Sequence, residues 1–466
     1  MSVNELFSSE LKVVNIGLES FETALARSGV KVAGVNWRPP LAADFAAISK
    51  LRSRRADIDK ANAAVLEKIL HGKARLCGMG LAGETIPGMK KNLILHAGPP
   101  ITWERMCGPM RGAIIGALIY EGLAANPEEA KALAASGKIE FSPCHEHNAV
   151  GPMAGIVSYS MPVFIVENSE FGNRSYSTQN EGLGKVLRYG AYSPEVITRL
   201  HWMQKTLYPA LKAALAYTGP IDLKAIIAQA LHMGDEVHNR NRAASSLLYR
   251  ALAPAVVRTS KTDTAAQVLE FINGNDHFFL NLSMATAKAL LDAARNVPNS
   301  SVAVVMARNG TDFGVQLAGT GGKWFTGPAP VPDALFFAGF TKADANPDIG
   351  DSAITETCGL GGFAIAAAPA IVQFVGGKAA DAAGYTLAMY EITAGENNAW
   401  QIPAMDFRGV PLGIDVLKVV ESGILPFIDT GVAHKEPGVG QVGAGVVSAP
   451  AEPFIKAAQA LAEELK

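Results

Sequence analysis

The run Cys144-His145-Glu146-His147 sets a thiol, two imidazoles and a carboxylate in four consecutive residues of the stretch FSPCHEHNAVGPMAG. Histidine can pass a proton near neutral pH and a neighbouring carboxylate can orient its ring, so His145 or His147 with Glu146 is a candidate acid–base group. Solvated loop histidines without a task are the alternative. The tetrapeptide is not H-E-x-x-H and lacks a third ligand, so no metal is expected on it.

Two arginines form the next candidates. In HMGDEVHNRNRAASSLL a helical advance of about 100° per residue gathers Met233, Val237, Ala244 and Leu248 into one apolar stripe, with Arg240 and Asn241 flanking it. A guanidinium and an amide turned toward a packed side need partners, which are either structural carboxylates or a bound anion. An ordinary ion pair of Arg240 with Glu236 is the plain alternative. In Met306-Ala-Arg308-Asn309-Gly310 a strand-like run ends at a glycine turn, a place for a guanidinium to meet an oxyanion; a turn-capping pair is the other reading. Gly359, Gly361 and Gly362 follow Cys358 and precede an apolar segment, so N–H groups at a helix start could cradle an anion, unless the glycines serve only close packing.

Two pattern matches fail on context. Gly438-Val-Gly440-Gln-Val-Gly443 fits G-x-G-x-x-G, but VVSAPAEP follows where the phosphate-binding helix should begin. Asp344, Asn346 and Asp348 imitate a calcium loop, yet Pro347 intrudes and Thr355 stands where a glutamate is needed. No cofactor is therefore expected.

These residues must be held by a chain of 466 residues, longer than one core usually serves. LKVVNIG, LESFETALARSG and VKVAGVNWRPP read as strand, amphipathic helix and strand, with Gly29 ending the helix and Pro39-Pro40 the second strand. A polar helix from Ile58 to Leu70, apolar runs ARLCGMGLA and NLILHAGPP, and a helix carrying Gly112, Ala113, Gly116 and Ala117 follow. From Ser193 to Asn296 helical periodicity dominates; from Ser300 strand-like runs return, with helices expected at GFAIAAAPAIVQFVG and at the terminal EPFIKAAQALAEELK. The expected class is α/β: a mixed domain over 1–190, an all-helical domain over 191–298 and a second mixed domain over 299–466.

Hydrophobic residues make up 49% and charged residues 18%, the profile of a well-packed protein. Forty-one basic residues against forty-three acidic ones give a net charge of -2, which argues against a nucleic-acid partner. MSVNELFSSELK lacks the basic and apolar regions of a secretory signal, and four scattered cysteines suit a reducing compartment, so the cytoplasm is expected. Thr357 to Gly377 is uncharged but interrupted by Pro369, so a buried helix rather than a membrane span is expected.

Taken together, HAGPPITWERMCGPMRGA, FSPCHEHNAVGPMAG, ALHMGDEVHNRNRAA, RNGTDFG, DANPDIGDSAITETCGLGGFA and GIDVLKVVESGILPFIDTGVAHKEPGVGQVGAG resemble the YlbE-like family, also called AllG, from about Leu11 to Val447. The resemblance implies a subunit of an oxamate carbamoyltransferase in allantoin catabolism, which converts oxalurate and phosphate to oxamate and carbamoyl phosphate. It further implies two partners, an FdrA-like protein related to acyl-CoA synthetases and a third small subunit, and leaves a homo-oligomer open. A scaffold subunit without catalytic groups and a transferase for another ureide are the competing readings. For the transferase reading, Arg240 and Arg308 are expected to bind the phosphate or carbamoyl anion from two domains, with His145, Glu146 and His147 serving the departing amide.

Overall fold

The computed structural model describes residues 10–35, 39–41, 44–375 and 377–465. The opening unit is β1 (Lys12–Ile16), α1 (Glu19–Arg27) and β2 (Lys31–Val35), with the two strands parallel and Gly29 in the left-handed region after the helix. None of α1 is buried, and Val14, Ile16, Leu18 and Phe21 are exposed. Two helices follow, α2 (Phe45–Ser53), whose first turn is capped by the Asp44 carboxylate, and α3 (Arg55–His71).

The first large sheet begins with β3 (Ala74–Leu81). Beside it lie β4 (Leu93–His96), α4 (Gly108–Tyr120), α5 (Pro127–Ala135) and β5 (Glu140–Pro143), with β4 and β5 forming a separate parallel pair. The small residues of α4 have a use. A side chain at Gly112 would meet the Gly190 carbonyl at 2.2 Å, and one at Gly116 would meet Leu187 at 2.3 Å, so the helix lies directly on the 187–190 turn. β6 (Pro162–Asn168) and β7 (Arg174–Thr178) complete the order β7-β6-β3-β8, all antiparallel.

The helical stretch consists of α6 (Pro194–Trp202), α7 (Tyr208–Thr218), α8 (Leu223–His232), α9 (Arg242–Thr259), α10 (Thr262–Asn273) and α11 (Leu280–Asp292). A π turn over Met203–Leu207 joins α6 to α7, next to Pro209, whose missing N–H cannot continue an α-helical ladder. The stretch is not purely helical: β8 (Ile221–Asp222) adds a short edge to the first sheet. Every residue of α11 is buried except Asp292 at its end, because the helix packs against β3, β6 and β7 and serves as the back layer of that sheet.

The last third contains β9 (Ala303–Asn309), β10 (Asp312–Leu317), β11 (Phe325–Pro328), β12 (Asp333–Phe336), β13 (Ile349–Gly350), α12 (Ile354–Thr357), α13 (Asp381–Glu391), β14 (Thr393–Ile402), β15 (Arg408–Ile414), α14 (Val416–Ser422), β16 (Phe427–Ala433), β17 (Gln441–Ser448) and α15 (Ala451–Glu464). They form an antiparallel sheet β11-β10-β9-β13, a three-stranded sheet β12-β17-β16 and the hairpin β14-β15. The expected helix in GFAIAAAPAIVQFVG is absent. Three short 3-10 turns, Gly361–Phe363, Ile365–Ala367 and Pro369–Val375, take its place, since Pro369 withholds an N–H and pushes Ala368 out of helical geometry. The chain is thus mixed α/β, and one apolar cluster runs from Val65 to Ala433 through both strand-rich parts and the helices between them. Among the described residues no helix is long and apolar enough to cross a membrane.

Candidate functional site

After Pro143 the chain makes one 3-10 turn over Cys144–His147 and leaves it through Asn148 in the left-handed region. With three residues per turn, consecutive side chains point about 120° apart. His145 turns inward and is 2% exposed, Glu146 faces solvent, and His147 lies sideways with Nε2 2.9 Å from Ser142 Oγ. Glu146 accepts from the indole of Trp324 at 3.3 Å and from Ser142, and orients neither histidine. The expected trio is therefore not assembled.

The carboxylate that faces His145 comes from far down the chain. Asp351 Oδ1 lies 3.4 Å from His145 Nε2, and the same carboxylate is fixed by N–H groups of Gly98 at 2.8 Å and Gly151 at 3.1 Å. Neither ring nitrogen of His145 has a hydrogen-bond partner. Burial holds its pKa below the usual histidine value although Asp351 pulls the other way, so the ring is neutral near pH 7. From α11, Lys288 donates to the His145 carbonyl at 3.2 Å and to Asp292 at 2.8 Å, and Arg295 reaches the same Asp292 at 2.7 Å. Burial brings Lys288 down to about 8, with Arg295 adding to the effect. His96 lies within electrostatic reach of Asp351; its Nδ1 donates to the Ala97 carbonyl at 2.8 Å, which leaves Nε2 a bare, buried acceptor. The buried cluster thus combines a neutral acid–base group, an ammonium and a guanidinium. A lone lysine inside the apolar run LNLSMATAKALL was the available sequence signal; Asp351 gave none, lying in a segment that imitates a calcium loop.

Arg240 and Asn241 sit elsewhere than expected, because no helix spans the region. α8 ends at His232, and Gly234 and Val237 take positive φ, which turns the chain around one carboxylate. Glu236 accepts N–H groups from His238 at 2.5 Å, from Asn239 at 3.1 Å and from Arg240. Met233 is exposed rather than part of a stripe. The Arg240 guanidinium lies 3.3 Å from Asp235 and is partly exposed, so its partner is a structural carboxylate, though not Glu236. Asn241 precedes α9 and donates to the His238 carbonyl, with its own Oδ1 left without a partner.

The glycine loop meets this turn, but its N–H groups are taken. Gly359 donates to the Glu356 carbonyl at 2.9 Å, Gly361 to the Glu236 carbonyl at 2.8 Å and Gly362 to the Glu356 carboxylate at 2.9 Å. The anion held here is the protein's own. Glu356 also faces His238 Nδ1 at 2.6 Å and accepts from the Asp429 N–H at 3.1 Å. Glu236 and Asp429 are both pushed well above the usual carboxylate range, first by burial and then by neighbouring negative charge, Asp429 acting on Glu236 and Glu356 on Asp429. Neither oxygen of Asp429 has a hydrogen-bond partner.

Arg308 is not waiting for an anion. It is fully buried, and it donates to Asp348 at 2.7 and 3.1 Å, to the Gly350 carbonyl at 2.9 Å, and to Ser352 and Thr430 at 3.3 Å, which uses all five donors. Asn309 Oδ1 accepts from the N–H groups of Thr311 and Asp312, the turn-capping role. The anion site expected between Arg240 and Arg308 is therefore corrected to two separate ion pairs, with Asp235 and Asp348.

A family model described as "Oxamate carbamoyltransferase subunit AllG" matches residues 139–352. The oxamate carbamoyltransferase subunit AllG of Escherichia coli (strain K12) is 48% identical over 412 residues, covering 88% of this chain and 98% of that protein. The chain belongs to the AllG family. The protein YahG of the same organism, described as uncharacterized, is similar to it at 47% identity over 97% of each chain. A crystal structure described as a conserved protein of unknown function from Enterococcus faecalis V583 is 49% identical, covers 88% of this chain and 99% of its own, and superposes with a TM-score of 0.87.

In this AllG-family chain the matched segment holds His145, Lys288, Asp292, Arg295 and Asp351. Lys288 stands seven positions after Asn281 on α11, two helical turns, so both face the same side about 10 Å apart along the axis. The loop 151–156 lies between the two. Gly151 holds Asp351, the Gly155 carbonyl accepts the Cys144 thiol at 3.1 Å, and Pro152, Gly155 and Ile156 line a cleft on the Asn281 side.

Proposed function

We propose that this chain is a subunit of a cytoplasmic carbamoyltransferase of ureide breakdown that converts oxalurate and phosphate to oxamate and carbamoyl phosphate. Its identity of 48% over 88% of the chain to an oxamate carbamoyltransferase subunit is the observation that carries the reading. An FdrA-like subunit and a third small subunit complete the proposed enzyme. In the reaction a phosphate oxygen attacks the carbamoyl carbon, a C–O bond forms, the C–N bond to the oxamate nitrogen breaks, and the proton leaving phosphate ends on that nitrogen.

The residues around His145 suit the step. A neutral imidazole with both nitrogens unengaged can relay the proton from phosphate to the departing amide. Lys288 and Arg295 supply the positive charge that a dianionic nucleophile needs. Among the described residues no nucleophilic triad accompanies them, which favours direct transfer between bound substrates. The test is carbamoyl phosphate formation by the co-purified subunits with and without this chain. Activity is expected only with it, and His145→Asn is expected to lower turnover by about 10². Unchanged activity in the absence of the chain would leave it a scaffold at most.

A further inference from the structure

Among the described residues Met153, Val237 and Phe407 take positive φ although they are neither glycine, asparagine nor aspartate. A bulky side chain in that region is strained and needs compensation from its surroundings. Met153 and Val237 find it inside the protein, at 4% and 0% exposure, and Val237 belongs to the turn whose N–H groups Glu236 collects. Phe407 does not. Its φ is 59° and 55% of it is exposed, at the tip where β14 turns into β15. A glycine would hold the same turn without strain and without an aromatic ring in water. Both costs therefore point to a contact outside this chain.

The tip is braced from below. Ile402 pairs with Arg408, and the Phe407 N–H donates to the Ile402 carbonyl at 3.1 Å. The Arg408 guanidinium lies 3.5 Å over the Tyr390 ring and donates to Glu396 at 2.7 and 3.0 Å. Phe407 meets the exposed ring of His232 edge-on, with centroids 5.7 Å apart, and Met233 beside that histidine is 56% exposed. Asp406, at the same tip, is exposed, and among the described residues its carboxylate makes no ion pair or hydrogen bond. An aromatic ring, a thioether and a bare negative charge thus stand together on a rigid support, which is what a contact anchor requires.

We propose that this tip is a docking knob, with Phe407 entering an apolar pocket on a different subunit and Asp406 pairing with a cation on the rim of that pocket. Charge separates a different chain from a second copy of this one. An apolar groove of ≈ 700 Å³ between Trp202 and Phe271 has room for a phenyl ring, but Glu195 and Glu270 outnumber Arg199 around it. In a groove of ≈ 720 Å³ beside β12, Lys342 is already paired with Asp333. A third, of ≈ 570 Å³ beside α3, balances Arg55 and Lys418 with Asp59 and Glu67. None of these rims is net positive, so the pocket belongs to a partner that sets basic residues beside an apolar hollow. The knob rests on the reading of this chain as one subunit of a larger enzyme.

The experiment is sedimentation of the full chain, alone and with the subunits that co-purify with it, for wild type and Phe407→Gly. Glycine takes positive φ freely, so the isolated variant is expected to melt at or above the wild-type temperature while its affinity for the other subunits falls by at least about tenfold. Asp406→Asn, which tolerates the same backbone, is expected to weaken the assembly and its dependence on salt, and it decides the matter should the glycine variant not fold. An assembly unchanged in either variant overturns the inference. So does altered self-association of the isolated chain, which would make the occupant a second copy. Carbamoyl phosphate production in the same preparations separates the two proposals. Production by an assembly that does not depend on Phe407 removes the knob and keeps the function, whereas Phe407-dependent assembly without production keeps the knob and removes the function.

Discussion

Lys288 shows how burial makes a side chain pH-sensitive. Its pKa falls from 10.5 to about 8, so between those values the folded chain binds fewer protons here than the unfolded one. The sign follows: this group contributes a constant penalty below about pH 8, and the penalty is relieved as pH rises toward about 10, by about 3 kcal/mol over the full window. Denaturant unfolding of wild type and Lys288→Met at pH 7.5 and 10 should therefore shift in favour of wild type as pH rises; parallel behaviour of the two would show that Lys288 does not titrate there. Arg308 calls for the opposite kind of test. Because every donor is used internally, Arg308→Lys is expected to cost about 3 to 5 kcal/mol of stability, measured by the same unfolding. At this scale the sequence singled out His145 and Arg308 as polar groups that need partners. It could not say that Asp351 faces the first or that Asp348 satisfies the second, since both contacts depend on tertiary folding.

Elements were legible where periodicity and breakers agreed. The opening βαβ unit, the helix over Arg55–His71 and the terminal helix are where the pattern puts them. Two segments misled for definite reasons. The apolar spacing through 233–248 continues across a turn in which Gly234 and the β-branched Val237 adopt positive φ, a choice imposed by the Glu236 carboxylate gathering three N–H groups. The segment around Pro369 is apolar enough for a helix but cannot close its hydrogen-bond ladder. Caps also join elements that are distant in sequence. Asp415 caps α14 through the N–H groups of Leu417 and Lys418, accepts from Ser301 at 2.7 Å ahead of β9, and pairs with Arg55 of α3 at 2.8 Å. Asp415→Ala should lower the unfolding free energy by about 3 to 5 kcal/mol, well beyond the ~1 kcal/mol of a simple cap; a loss confined to the smaller figure would show that only the helix end depends on it.

At the scale of the whole molecule, texture alone separates strand-rich ends from a helical middle, and the order of elements follows it. What texture hides is that α11 belongs in space to the first sheet. The β1-α1-β2 unit is the reverse case, close in sequence to the sheet but with none of its helix buried. Removal of residues 1–35 is expected to leave the thermal midpoint of the remainder within about 2 °C, by scanning calorimetry; a larger drop would mean that the unit is part of the main cooperative fold. The placement of α11 has a further effect, on synthesis. β7 ends at Thr178, while the helix that covers its sheet does not start until Leu280. At about 5 to 20 residues per second a ribosome needs roughly 5 to 20 s to make the intervening segment. Throughout that interval the apolar back of the nascent sheet faces solvent uncovered, a substrate for chaperones until its lid has been translated.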